Sequence, residues 1–195
     1  MKAMTENFDK LKFDKSLFWK NEPKNWCIKN NSLTIEPDAK IDYWQKTYYG
    51  FQVMNAPSLV KERRNVFSIE IEVAFDSKNK YDQAGLLVYI NDEFWIKTSV
   101  EYETEEFSHL GAVVTNMGYS DWSVQRIPST VKSAKYRIEK REHDYIIKAK
   151  LCGSEWEQLR ISHLNISSDL VHAGIYACAP TDDGLSCDFN YITYN

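Results

Sequence analysis

Strict alternation of apolar and polar residues is the feature that most limits how this chain can fold. In residues 67–75, Phe67, Ile69, Ile71, Val73 and Phe75 alternate with Ser68, Glu70, Glu72 and Ala74. Successive side chains of an extended strand point to opposite faces, so this segment has one oily face and one polar face. That is the signature of a strand buried on one side. The period recurs in "DQAGLLVYI" (82–90), "SHLGAVVTN" (108–116), "AKYRIEKRE" (134–142), "HDYIIKAKLCG" (143–153), "HAGIYACAP" (172–180) and "SCDFNYITY" (186–194). Polar turn clusters separate the runs: Asn91-Asp92, Asn116-Met117-Gly118, Glu142-His143-Asp144, Cys152-Gly153-Ser154 and Asp182-Asp183-Gly184. Beyond residue 60 no segment carries a capped 3.6-residue stripe. The opening "ENFDKLKF" makes at most one helical turn. Short strands at intervals of about 8–14 residues predict an all-β fold of two antiparallel sheets packed face to face. Residues 1–195 are read as one domain, and a hydrophobic content of 43% supplies a continuous core.

Charge and cysteine usage narrow the setting. Twenty-four Lys and Arg against 28 Asp and Glu give a net charge of −4, with the basic residues scattered. No phosphate-tracking surface is marked, so nucleic acid is not an expected partner. No run approaches the roughly 18 apolar residues of a membrane span. The N-terminal stretch lacks an apolar h-region and a cleavage pattern, so no secretory signal and a reducing cytosol are expected. Cys27, Cys152, Cys178 and Cys187 show no CxxC spacing and are read as free thiols, although Cys178 and Cys187 flank the last turn as candidate cross-strand neighbours. The Asn30 and Asn165 sequons are then chance matches.

Several separated stretches carry a resemblance. "YRIEKREHDYIIKAKLCGSEWEQL" and "AGIYACAPTDDGLSCDFNYITY" resemble the hairpin, the Gly-Ser-x-Trp turn and the closing strands of concanavalin A-like lectin/glucanase sandwiches. "FWKNEPKNW", "IDYWQKTYYGF", "YDQAGLLVYINDEFWIKTSVEY" and "VVTNMGYSDWS" together resemble a family of domains of unknown function with that fold. One member of that family is a fungal cytoplasmic protein linked to regulation of enolase. The likeness covers residues 8–195 or thereabouts and implies a concanavalin A-like sandwich (jelly roll), a cytosolic setting and a role in carbohydrate metabolism. It implies no reaction. Cys152 and His143 depart from the usual turn residues, which affects turns and not the sandwich.

The hairpin 82–102 holds the most pointed chemistry. If Phe94, Ile96 and Val100 enter the interlayer, Trp95, Lys97, Ser99 and Glu101 face away from it, joined by Gln83, Leu87 and Tyr89 of the preceding strand. In concanavalin A-like sandwiches one outer face holds the ligand groove. Rings that stack on a pyranose, with an amide, an ammonium and a carboxylate for its hydroxyls, suit a sugar. Lys97 and Glu101 lie about 13 Å apart along the strand, enough to grip two ends of a small polar ligand. The alternative is a solubilising face with a snorkelling Lys97. In "IDYWQKTYYGF" (41–51), Trp44 is a candidate stacking platform and Asp42 a hydroxyl acceptor at the rim, or the rings simply pack under a loop. Asp121 is either a ligand contact or the cap of a turn, and Trp122 is read as core.

Two same-face carboxylate pairs, Glu70/Glu72 and Glu101/Glu103, are spaced like the acids of a glycosidase. The first lacks a third acid, since positions 74 and 75 are Ala and Phe, and reads as a solvated face. Glu103 sits in a charged loop, "ETEEF". His109, His143, His163 and His172 show no metal-ligand spacing and read as surface or turn histidines. "TDDG" reads as a turn. Without a nucleophile elbow or a phosphate loop, no metal and no cofactor is expected. The candidate ligand-binding set is Asp42, Trp44, Gln83, Tyr89, Trp95, Lys97, Glu101 and Asp121. The expected function is non-catalytic binding of a sugar or small polar metabolite, with a protein of carbohydrate metabolism as candidate partner. The alternatives are a hydrolase using Glu101 with a second carboxylate, and a flat-sheet protein-interaction module.

Overall fold

The computed structural model describes residues 3–195. Seventeen strands follow one another: β1 (Met4–Glu6), β2 (Phe18–Lys20), β3 (Asn25–Lys29), β4 (Ser32–Glu36), β5 (Tyr43–Gln45), β6 (Gln52–Met54), β7 (Ser58–Arg63), β8 (Phe67–Asp76), β9 (Gln83–Asn91), β10 (Phe94–Tyr102), β11 (Phe107–Asn116), β12 (Tyr119–Pro128), β13 (Ser133–Arg141), β14 (Asp144–Leu151), β15 (Glu157–His163), β16 (Val171–Cys178) and β17 (Ser186–Tyr194). One sheet runs β15-β14-β13-β8-β17-β4-β3, with β1 also paired to β17. The other runs β12-β11-β10-β9-β16-β7-β2, and β5-β6 form a separate hairpin. The opening segment makes no helical turn. Glu6 instead accepts the backbone N–H groups of Phe8 (2.8 Å) and Asp14 (2.6 Å), which ties it down as a loop.

The alternation puts the core where it must be. Phe67, Ile69, Ile71, Val73 and Phe75 of β8 enter the interlayer. There they pack with Leu86 and Val88 of β9, Ile96 and Val100 of β10, Leu110 and Val114 of β11, and Ile175 of β16. Each such side chain contributes about 1.5–3 kcal/mol on full burial. The polar faces turn outward. On the β8 side this yields ion pairs: Glu70 accepts from Arg137 and from Tyr191 (2.7 Å), and Glu72 pairs with Lys135 (3.6 Å). All four cysteines are free. Cys178 and Cys187 lie in different sheets, so they are not cross-strand neighbours.

The outer face of the seven-stranded sheet is uneven by construction. Register places Gly85, Ser99 and Gly111 in one row across β9, β10 and β11. The flanking rows are Leu87–Lys97–Val113 and Gln83–Glu101–His109. The row of small residues therefore separates Lys97 from Glu101. A Cβ on Gly85 would run into the carbonyl oxygen of Thr98, and one on Gly111 into that of Ser123. Side chains complete the bonding along this row: Val100 N donates to Tyr136 Oη at 2.7 Å and Thr98 Oγ1 to the Gly111 carbonyl at 2.8 Å.

The β5–β6 hairpin folds over part of this face. Tyr43 Oη lies 2.9 Å from both the Ala56 carbonyl and Ser58 Oγ, and Gln45 N donates to Ser120 Oγ at 3.0 Å. Beneath it a second apolar cluster forms from Tyr43, Trp44, Leu87, Trp95, Val113, Tyr176 and Cys178. We expect Gly85→Ala to lower unfolding free energy by about 1–3 kcal/mol, because the strand must shift to admit the methyl group. Urea denaturation checks this, and an unchanged midpoint would refute the close approach.

Candidate functional site

Lys97 is the group around which the site is organised. Its side chain is 4% exposed, and Nζ lies 2.9 Å from Oδ1 of Asp42, itself 17% exposed. A buried ammonium is tolerated only when paired and hydrogen-bonded. Burial alone would lower the pKa of Lys97, but the neighbouring Asp42 carboxylate outweighs it and holds the ammonium above its ordinary value. Asp42 is set by its own backbone: its carboxylate accepts the Tyr43 N–H at 2.7 Å, and its N–H donates to Asn55 Oδ1 at 3.0 Å.

Glu101 sits two rows along. Gln83 Nε2 donates to its Oε2 at 2.8 Å, and Gln83 Oε1 in turn accepts the Tyr176 hydroxyl at 3.1 Å. Burial pushes the Glu101 carboxyl up to about 8; Lys97 and Lys80 pull it down, while Asp42 and Glu103 push it further up. Asp42, Lys97 and Glu101 line one cavity of about 290 Å³. Trp44, Tyr49, Phe51, Tyr81 and Trp122 supply aromatic wall, with Val113, Pro180 and Thr181 completing it. Tyr81 stands at φ 73, a conformation that costs a non-glycine residue about 1–3 kcal/mol. It is held there by its N–H to the Tyr102 carbonyl (2.7 Å) and by Gln83 Nε2 on its own carbonyl (3.1 Å). A second, open groove of about 850 Å³ adjoins, sharing Trp44, Tyr49 and Trp122 and bordered by Asp121 and Arg160.

Of the residues singled out from sequence, the structure gathers Asp42, Trp44, Lys97 and Glu101 on the cavity, with Gln83 behind Glu101. Trp95 leaves the interlayer as its parity requires, yet it is fully buried beneath the hairpin against Tyr43 (ring centroids 5.9 Å apart). It is therefore no stacking platform for a ligand. Tyr89 lies beyond the cavity lining, where its hydroxyl donates to Asp92 (2.7 Å) and its ring stacks on His172. Asp121 caps no turn. It projects from β12 to Arg160 at 3.0 Å and borders the open groove. His109 is a strand residue facing Glu103 rather than a surface or turn histidine, and Trp122 is a wall residue rather than core. The unflagged residues are Phe51, Tyr81, Val113, Pro180 and Thr181. The ring density of 41–51 pointed toward Phe51; nothing local marks the others.

The fold is a concanavalin A-like β-sandwich, here with a ring-walled, polar-floored cavity between a hairpin and the outer face of one sheet. The chain belongs to the family described as "Protein of unknown function (DUF1349)", which matches residues 19–195. It is similar to "Regulation of enolase protein 1" of Saccharomyces cerevisiae, at 30% identity over 172 residues, covering 88% of this chain and 85% of the yeast protein. A crystal structure of a functionally unknown protein from Saccharomyces cerevisiae superposes with a TM-score of 0.82 at 28% identity, covering 90% of this chain and 93% of that one. The GH43 protein BlXynB from Bacillus licheniformis gives a TM-score of 0.76 at 14% identity. That match covers 97% of this chain but 38% of BlXynB, and it is a likeness of fold alone.

The ion pair makes a sharp stability prediction. Asp42→Ala leaves a buried ammonium without its partner and should cost about 3–5 kcal/mol. Removing both charges with Asp42→Leu and Lys97→Met together should cost far less than the sum of the single changes. A double-mutant cycle by chemical denaturation reads the coupling, and additive costs would contradict a sealed pair.

Proposed function

We infer that this protein is a non-catalytic cytoplasmic binding protein of carbohydrate metabolism, taking a neutral sugar or similar polyhydroxylated metabolite in the Asp42–Lys97–Glu101 cavity. The observation that carries the reading is the composition of that cavity. Aromatic rings form much of its wall, while a carboxylate, an ammonium and a carboxyl lie at its floor. Rings stack on the C–H face of a sugar and fixed polar groups take its hydroxyls. The one ammonium lining the cavity is already committed to Asp42. No free cation among the described lining residues remains for a phosphate, which favours a neutral ligand over a sugar phosphate. The printed name of the yeast relative supports a regulatory role connected with enolase. The depth of the site counts against a flat-sheet interaction module. Among the described residues no helix is long and apolar enough to cross a membrane.

Calorimetry against neutral monosaccharides, disaccharides and polyols, each beside its phosphate ester, tests this reading. Saturable binding of a neutral compound is expected, weakened about tenfold (~1.4 kcal/mol) by Tyr49→Ala, which removes a half-exposed ring from the rim. Failure of every neutral compound to bind would reject it. Because Asp42 and Glu101 both line the cavity, a hydrolase remains the second reading. Release of product from aryl glycosides or oligosaccharides, abolished in Glu101→Gln, would replace the binding reading with that one.

A further inference from the structure

The end of the seven-stranded sheet next to the cavity carries a cluster that shares Glu101 with the ligand reading and adds Glu103 and His109, which that reading does not use. Glu101 and His109 are direct cross-strand partners on β10 and β11. Glu103 lies just past the end of β10. One donor atom from each of Glu101, Glu103 and His109 lies within 4.8 Å of the other two. The Glu103 side chain is only 9% exposed. His109 Nδ1 is out of contact with solvent and has no hydrogen-bond partner. It lies 3.3 Å from Glu103 Oε1, within ion-pair reach. The imidazole is fixed from the side by Trp122, edge to face at 5.8 Å, and by Phe107 at 5.4 Å. Glu101 Oε2 is oriented by the Gln83 amide.

An imidazole nitrogen that is shut off from solvent and makes no hydrogen bond, on a ring 22% exposed, lies against two carboxyl groups that are themselves steered by neighbours, which is the arrangement of a metal-ligand set with outer support. We propose that Glu101, Glu103 and His109 bind a first-row divalent cation, zinc or a close substitute, at the edge of the cavity. The donor chemistry chooses the class. One imidazole and two carboxylates suit zinc and its neighbours, whereas calcium takes six to eight oxygens. Three protein ligands leave a coordination position open, as in non-structural zinc sites. Around a tetrahedral ion with ligands at about 2.0–2.1 Å, donors stand roughly 3.3 Å apart. Two flexible glutamate side chains close the remaining gap by rotation. The competing cation is Lys80, whose Nζ lies 3.1 Å from Glu103 Oε2 but whose side chain is half exposed and free to swing out. The spacing E-x-E-x5-H matches no recognised motif, because the antiparallel register of β10 and β11, not the sequence interval, brings His109 beside Glu101.

Glu101 belongs to both sites, but the two readings are separable because the readout here is the ion itself. Full-length protein freed of metal with a chelator is titrated with Zn²⁺ by calorimetry and with Co²⁺ by visible absorption. We expect one ion per chain, with affinity reduced tenfold or more in His109→Gln and in Glu103→Gln. Lys80→Gln, at a solvent-facing position that leaves the fold intact, should tighten binding by removing the competitor. His163→Ala, at the exposed His163–Asp144 pair, should leave it unchanged. Absence of saturable one-to-one binding, equal affinity in His109→Gln, or weaker binding in Lys80→Gln would overturn the assignment. A sugar screen without hits would leave it standing, and a failed metal titration would leave the sugar reading standing.

Discussion

The buried pair of Lys97 and Asp42 is the interaction on which the rest of the site depends. A lysine at a central strand position of an outer face would ordinarily reach water. Here the β5–β6 hairpin crosses above it, and the charge is sustained because the same hairpin segment delivers Asp42. Cover and counter-charge therefore arrive together. The hairpin is fastened at one end through Tyr43 to Ala56 and Ser58, and at its strand through Gln45 to Ser120. An apolar cluster around Trp95 fills the space it encloses. The cavity is the part of this second interface that the cluster leaves open.

Much of this was legible in the chain and some was not, for a physical reason. Period-two alternation assigns the strands and decides which side chains enter the interlayer, because pleating is local. By itself it puts Trp95, Lys97, Ser99 and Glu101 on the outer face. It said nothing of what lies above that face, because cover by the hairpin is a contact between residues about fifty apart. Trp95 and Lys97 thus share a parity but differ in role, the indole sealed under the hairpin and the ammonium at the cavity wall. Tyr89 fails as a lining residue for the same reason, lying on the far side of the sealed indole. Asp121 was ambiguous because Arg160, its partner, belongs to the other sheet. Tyr81 left no trace, since a positive φ is a property of the assembled turn.

The two outer faces illustrate how identical patterning serves different ends. On β8, Glu70 and Glu72 meet Arg137, Lys135 and Tyr191 on neighbouring strands, and the acids are used up in surface pairing. On β10, Lys97 and Glu101 are separated by the row of Gly85, Ser99 and Gly111, which cannot fill the space between them.

The most direct measurement is the nitrogen-correlated proton spectrum of the lysine side chains at neutral pH. A sealed Lys97 ammonium bonded to Asp42 exchanges slowly with water, so it should give a resolved Nζ signal with through-space contacts to the rings of Trp44 or Tyr176, while surface lysines are lost to exchange. Loss of the Lys97 signal along with the others would mean that the hairpin does not close over the sheet, and the cavity would lose its floor.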